Sequence, residues 1–200
     1  MNIETKNRIL KIFQEHSGYA WTKDIRAKGI HHKYLQELVE KGIIIRISKG
    51  LYSLPNIEDY SSYYEALLVV PGGIICMGTA LSFYELTTWN PPYVHVAIHH
   101  GRKVVLPDYP PIKLYHPGGS FFTTGITQTT LYSGHSISIY DLEKTVCDTV
   151  RYRNRIGIDV MKESLVKYIS RHDKNLNKLY EYAKTLKIIS VLQRYMEVLL

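Results

Sequence analysis

The stretch KGIIIRISKGLYSLP, Lys41–Pro55, joins a run of isoleucines to a short polar turn. Alternate positions of the first half are apolar and are expected to form the buried face of a strand: Ile43, Ile45 and Ile47. The exposed face and the turn are polar: Arg46, Ser48 and Lys49. Ser48 to Gly50 fits a three-residue hairpin loop, because Gly50 can adopt positive φ at no steric cost. The stretch therefore predicts a β-hairpin with an apolar face and a basic tip.

Three short helical segments precede this hairpin. The first runs over 3–16 and is stopped by Gly18, and Thr22 is the predicted N-cap of the second. The third, HHKYLQELVEKG, has three apolar residues on one face: Leu35, Leu38 and Val39. Because an isolated hairpin is marginally stable in water, its apolar face must pack on these helices. This order predicts a winged helix-turn-helix over residues 1–55.

The predicted winged helix carries most of the positive charge. Residues 1–55 contain ten Lys and Arg against five Asp and Glu, whereas residues 56–200 contain fifteen against thirteen. A basic excess confined to one small module is typical of nucleic-acid binding. In the third helix, Lys33 suits guanine and Gln36 suits adenine, and both lie in the half that usually meets base edges. The hairpin is the wing of this fold. The predicted DNA contacts of the third helix and the wing are His32, Lys33, Gln36, Arg46, Ser48 and Lys49. Taken singly, each also fits a solvated surface residue.

The bulk composition indicates a globular protein. The chain is 45% hydrophobic and 22% charged, and its two cysteines cannot build a disulfide scaffold or a zinc ribbon. A reducing cytoplasm is therefore expected, and the polar N-terminus does not resemble a secretory signal. The uncharged stretch 66–84 is long enough to span a bilayer, but Pro71-Gly72-Gly73 interrupts it. We expect no membrane partner.

The second part of the chain, residues 56–200, predicts an α+β domain with a small sheet covered on one side and several C-terminal helices. A linker is expected over 55–59, and Asp59 or Ser61 can cap the helix that follows it. The predicted strands are 74–77, 93–99, 112–115 and 136–140. The predicted helices are 78–86, a segment starting after its N-cap Asp141, 159–170, 176–186 and 188–200.

No catalytic, metal or cofactor site is predicted in this domain. Gly118-Gly119-Ser120 resembles the glycine-serine turn of nucleotidyltransferases, but no acidic residue follows until Asp141, so the paired carboxylates for two metal ions are missing. The histidines around His95 and His99 show no ligand spacing and fit core or surface positions better. The chain is therefore expected not to be an enzyme.

One helical motif in this domain has two interpretations. Lys144 and Asp148 are four residues apart and can pair, whereas Glu143 points to another face. The motif and the basic run after it form a candidate functional surface: Glu143, Lys144, Asp148, Arg151, Arg153 and Arg155. The alternative is a buried polar network that fixes this helix against the sheet.

At the family level, the chain resembles the AbiEi antitoxins of type IV toxin–antitoxin (abortive infection) systems. The resemblance covers nearly the whole chain and rests on LQELVEKGIIIRISKGLYSLP, GTALSFYEL, PPYVHVAI and ISIYDLEKTVCDTVRYRNRIGIDVMKESL. It implies a winged-helix domain that represses its own operon at inverted repeats, and a C-terminal antitoxin domain. It also implies a nucleotidyltransferase-like toxin that is counteracted without a stable complex, in phage defence. In this resemblance the wing holds the DNA backbone, and Lys33 and Gln36 read the groove.

Two alternatives remain open from the sequence. The second domain can be an enzyme acting on nucleic acid or nucleotides, delivered by the winged helix. It can also be an interaction module of an orphan regulator without a cognate toxin. The protein can act as a monomer or as a dimer, with cooperative binding to DNA as an option.

Overall fold

The computed structural model describes residues 2–55 and 62–199. Its N-terminal part has the predicted order of helices and hairpin, and adds a short strand between the first two helices. The elements are α1 (Ile3–Glu15), β1 (Tyr19–Trp21), α2 (Thr22–Ala27), α3 (Lys33–Glu40), β2 (Ile45–Ser48) and β3 (Leu51–Ser53). The three strands form an antiparallel sheet in the order β1-β3-β2. The winged helix is confirmed, and the predicted linker and helix cap over 56–61 lie outside the described residues.

The isoleucines that the hairpin buries are not the predicted set of Ile43, Ile45 and Ile47. Ile44 and Ile47 are buried, Ile43 is half-buried, and Ile45 is 39% exposed. The cause is the end of α3, where the amides of Ile43 and Ile44 both donate to the Leu38 carbonyl, so the strand begins only at Ile45. An irregularity between Arg46 and Ser48 then shifts the register. The prediction that Ile45 faces inward is therefore wrong.

The second part of the structure is built on a five-stranded mixed sheet in the order β6-β5-β4-β8-β7. Its strands are β4 (Ile74–Ile75), β5 (Val94–Ala97), β6 (Ile112–Tyr115), β7 (Ile126–Thr130) and β8 (Ser136–Tyr140). The bounds of β6 and β8 match the prediction. The edge strand β7 was not predicted, because its sequence ITQTT has no alternation of apolar residues.

Helices cover both faces of this sheet, so the expected one-sided layer is wrong. They are α4 (Ser62–Val69), α5 (Met77–Phe83), α6 (Ser120–Thr123), α7 (Leu142–Arg151), α8 (Arg153–Ile156), α9 (Ile158–Ser170), α10 (Leu176–Thr185) and α11 (Ile189–Leu199). Ala66 of α4 packs with Ile75 and Val96 on one face. Ile74, Cys76 and Tyr140 point to the opposite face, where α7 and the C-terminal helices lie.

Within the described ranges, no helix is long and apolar enough to cross a membrane. The uncharged stretch 66–84 forms the end of α4, a turn, β4 and α5, as predicted from its glycines and proline.

Candidate nucleic-acid interface

The exposed face of α3 is set by the residues that it buries. Leu35 and Leu38 are at most 1% exposed and anchor the helix in the winged-helix core. The predicted contact residues on the opposite side are exposed: His32, Lys33 and Gln36. The ring of His32 stacks on His31 with a centroid separation of 4.5 Å. The N-terminal half of α3 therefore presents polar donors on an apolar support.

The C-terminal half of α3 is less suited to a polyanion. Gln36 Nε2 donates to Glu40 Oε1 at 3.3 Å, and Lys41 Nζ lies 2.7 Å from Glu37 Oε1. The hydrogen bond from Lys41 lowers the pKa of Glu37, so this carboxylate stays charged. The two glutamates would repel phosphate if α3 lay flat along the DNA backbone. Only the N-terminal half is therefore arranged to enter a groove.

The wing is a tight hairpin whose tip is joined to α2. Because Ser48 pairs with Leu51, the loop has two residues, Lys49 and Gly50, instead of the three predicted. Gly50 has a φ of +83°, and its carbonyl accepts from the Thr22 amide at 2.7 Å and from Thr22 Oγ1 at 3.3 Å. Arg46 is exposed, and its Nε donates to the Ser48 carbonyl at 3.4 Å. The basic tip is thus held in place by the start of α2.

Thr22 has a different role from the predicted one. Trp21 occupies the N-cap position of α2, and its amide donates to Asp24 Oδ2 at 3.0 Å. Trp21 also pairs with Leu51, so the chain stays extended for one residue longer than the sequence suggests. This frees the Thr22 hydroxyl to bind the wing, a contact that only the folded sheet brings together.

The motif in α7 lies inside the domain. Asp141 caps the helix as predicted, because its Oδ1 accepts from the Lys144 amide at 2.9 Å. Lys144 Nζ is paired with Asp148 Oδ2, and both side chains are buried. Glu143 faces another neighbour, where its Oε1 accepts from the Tyr168 hydroxyl at 3.3 Å. Since these three side chains are buried, they do not lie on an exposed surface, and the alternative of a buried polar network describes them correctly.

The electrostatics of this network follow from its burial. Burial raises the pKa of Asp148, and the ammonium of Lys144 counteracts only part of that shift. Burial also raises the pKa of the Cys76 thiol well above its usual range, so this group is neutral and is not an activated nucleophile. Gly125 packs so closely on Lys144 that an added Cβ would lie 2.5 Å from the Lys144 Cβ.

The basic run after this motif does not form one uniform face. Arg151 is half-buried, and its guanidinium carbon lies 3.6 Å from the ring centroid of Phe121. Arg153 is also half-buried, and its Nη1 donates to the Val150 carbonyl at 3.1 Å. Arg155 is exposed. A role of these arginines in binding stays a prediction.

The buried histidine of β5 fits a core role. His95 is 3% exposed, and its Nδ1 accepts from the Gly78 amide at 3.1 Å. Burial lowers its pKa to about 4, so the ring is neutral at physiological pH. Among residues 2–55 and 62–199, no three His, Cys, Asp or Glu side chains are arranged to hold a metal ion.

A contact between the two parts of the chain was not predicted. Tyr19 of β1 reaches Glu65 of α4, and its ring lies 5.4 Å from Tyr64 and 5.7 Å from His135, measured between centroids. These residues are far apart in the chain, and no local pattern indicates that they meet. The winged-helix sheet is therefore packed against the helix that also covers the larger sheet.

Comparison with known families identifies the N-terminal part. Residues 7–55 match the family model described as transcriptional regulator, AbiEi antitoxin. The match covers most of α1 and all of α2, α3 and the wing, and it confirms the resemblance over this part of the chain. No curated protein matches the chain. A regulatory antitoxin role is therefore supported through the DNA-binding module.

Proposed function

We propose that this protein is a DNA-binding transcriptional repressor of its own operon and the antitoxin of a type IV toxin–antitoxin system. The observation that carries the proposal is the pairing of an exposed, polar N-terminal half of α3 with a basic wing fixed to α2. The match of residues 7–55 to a regulator and antitoxin family supports the same assignment.

Helix α3 and the wing have different roles in DNA recognition. Lys33 and Gln36 enter the major groove and read bases, whereas Arg46 and Lys49 bind phosphates. Ser48 and His32 add polar contacts at the edges of this surface. Inverted repeats upstream of the gene are bound by two copies of the chain, cooperatively if the copies touch on DNA.

The second domain counteracts a nucleotidyltransferase-like toxin without forming a stable complex, in the cytoplasm and as part of defence against phage. It does so without catalysis of its own. The buried state of Glu143, Lys144 and Asp148 supports this, because a carboxylate pair for two metal ions needs an open site.

Binding to the DNA upstream of its own gene tests the proposal. Fluorescence anisotropy with this duplex should show saturable binding that exceeds binding to a scrambled duplex, and the affinity should fall steeply as salt rises. Equal affinity for the two duplexes would refute the repressor assignment. A co-expression assay with the adjacent toxin gene tests the antitoxin role separately, since rescue of growth does not require DNA binding.

A nuclease or nucleotidyltransferase activity of the chain would contradict the non-catalytic assignment. Incubation with Mg²⁺ or Mn²⁺, nucleotides and labelled DNA or RNA should give no turnover above that of a heat-denatured sample.

A further inference from the structure

The strand β7 lies at one edge of the five-stranded sheet, where its backbone is bonded on one side only. The Leu131 amide donates to the His135 carbonyl, and the Asp141 amide donates to the Gly125 carbonyl. Because backbone directions alternate in an antiparallel ladder, the odd-numbered residues of β7 direct their N–H and C=O groups to β8. The even-numbered residues direct theirs away from the sheet: Ile126, Gln128 and Thr130. Among residues 2–55 and 62–199, no backbone group bonds to these outward groups.

This edge lacks the usual protection against pairing. Natural sheets commonly protect an edge strand with charged side chains or proline. The opposite edge has both, because β6 follows Pro110-Pro111 and carries the exposed Lys113. The sequence of β7, ITQTT, has neither, and no Lys, Arg, Asp or Glu occurs between Lys113 and Asp141. The Ile126 side chain is 43% exposed, so β7 is open to pairing with another strand.

The partner that fits this edge is a second copy of the chain. Two copies with a net charge of +7 repel each other, so a contact between them is favoured where the surface is uncharged. A two-fold axis at Gln128 pairs the two strands antiparallel, with Gln128 opposite itself and Ile126 opposite the partner's Thr130. In this register every outward N–H and C=O group of the two strands has a partner.

We propose that two copies of this protein associate through their β7 edges into one continuous sheet. This pairing rests on the proposed function for its role, which is to bring two copies together on an inverted repeat. The turn after β7 lies beside the winged helix, because the rings of His135 and Tyr19 are 5.7 Å apart between centroids. Leu131, which pairs with His135, follows Gln128 by three residues, so the two turns are about 20 Å apart along the strands. The two winged helices are thereby held on the scale of adjacent half-sites, which are about 34 Å apart.

The association is expected to be weak in the absence of DNA. A five-residue strand is about 17 Å long, so the paired edges bury less than the roughly 1,200 Å² of a standard stable interface. On an operator with two half-sites, each bound copy raises the effective concentration of the other. The same contact then produces cooperative binding.

Sedimentation equilibrium of the full chain without DNA tests the contact. Dimers should form as the concentration rises towards about 1 mM, the range of weak interfaces. Gln128→Lys places two like charges opposite each other at the axis and should weaken dimerisation about tenfold or more. Asn177→Lys makes the same change of charge at an exposed position of α10 and is the matched control. The control should dimerise like the parent chain.

A mixture of two variants tests the register. Gln128→Glu alone should dimerise as poorly as Gln128→Lys, whereas an equal mixture of the two should form dimers, because lysine then faces glutamate. Three results would each overturn the proposal: a parent chain that stays monomeric up to about 1 mM, a Gln128→Lys variant that dimerises like the parent chain, or a mixture that forms no dimers.

Hydrogen exchange identifies the strand that is paired. As the protein concentration rises, the amides of Ile126, Gln128 and Thr130 should exchange more slowly. The amides of Thr127 and Thr129 are already bonded to β8 and should not change. Unchanged exchange of the even-numbered amides in a dimeric sample would place the contact elsewhere and refute the proposal. These assays contain no DNA, whereas the repressor assignment is tested by operator affinity, so either conclusion can fail without the other.

Discussion

The hydroxyl of Tyr19 donates a hydrogen bond to Oε1 of Glu65 at 3.2 Å, and both side chains are buried. This bond joins the sheet of the winged helix to α4 of the second domain. Because both groups are buried and this bond satisfies them, it contributes to the stability of the whole chain.

Replacing Tyr19 by Phe removes this bond and keeps the ring. We expect the free energy of unfolding to fall by about 1 kcal/mol or more. Urea denaturation followed by circular dichroism measures the change. Tyr132→Phe is the control, because the Tyr132 side chain is fully exposed. Equal stability of the two variants would show that the bond contributes nothing.

Substitutions in the interface should distinguish residues that bind the DNA backbone from residues that contact bases. Lys49→Ala removes a phosphate contact, so we expect weaker binding to all duplexes by a similar factor and a salt slope lower by about one. Gln36→Ala should cost about 1 to 3 kcal/mol on the operator and relax the preference at one base pair. Anisotropy titrations on a set of single-base variants of the operator distinguish the two. The opposite pattern would reverse the assigned roles.

The glycine at the wing tip allows a second test. Gly50→Ala places a side chain at positive φ, with its Cβ 3.5 Å from Thr22 Oγ1, and should lower both stability and DNA affinity. Gly29→Ala is a matched comparison, because Gly29 also has positive φ but a Cβ there meets no atom within 4 Å. We expect Gly29→Ala to lower stability by about 1 kcal/mol while DNA affinity is kept.

The buried ion pair of α7 should be costly to break from one side. Lys144→Met leaves the Asp148 carboxylate buried without its cation, and we expect a loss of about 3 kcal/mol or more in the free energy of unfolding. The double substitution Lys144→Met with Asp148→Leu removes both charges and should recover much of that loss. Chemical denaturation of Lys144→Met, of Asp148→Leu and of the double variant measures the coupling between the two residues. If the loss in the double variant equals the sum of the two single losses, the residues are not coupled and the prediction is wrong.

The depressed pKa of His95 predicts acid sensitivity. The pKa of His95 is about 4 in the folded protein, whereas the ordinary value is 6.5, so the unfolded chain binds the extra proton between these values. The stability that this group contributes is complete above pH 6.5 and is lost as the pH falls towards 4. His95→Asn keeps an acceptor for the Gly78 amide and cannot titrate in this range. Its unfolding free energy should therefore vary less between pH 6.5 and 4 than that of the parent chain.

The elements that the sequence predicted well are those with a strong local signal. Leu35 and Leu38 define the buried face of α3, and the alternation over 136–140 gives β8 its bounds. The phase of the isoleucines was not predictable, because the Leu38 carbonyl accepts two successive amides and delays the strand. The strand β7 lacks an apolar face and is defined only by its pairing with β8.

The exposure of the predicted contact residues could be inferred from the sequence, but the contact that holds the wing in place could not. Lys33, Gln36 and Lys49 are exposed as their positions in the pattern indicated. The contact of Thr22 with Gly50 joins residues that are 28 positions apart, and helix-capping rules favour another use of the Thr22 hydroxyl. The same limit applies to α7, where Glu143, Lys144 and Asp148 are buried only because the sheet and the C-terminal helices enclose the helix.

The position of α4 has a consequence for the modularity of this protein. One side of α4 packs on the five-stranded sheet through Ala66, and the other meets the winged-helix sheet at Tyr19 and near Trp21. A winged helix excised after Pro55 and grafted onto a foreign protein would expose the Tyr19 ring and leave its hydroxyl without Glu65. A winged helix that is to be transferred to another protein must therefore be taken together with α4. The segment to transfer is longer than residues 1–55 alone.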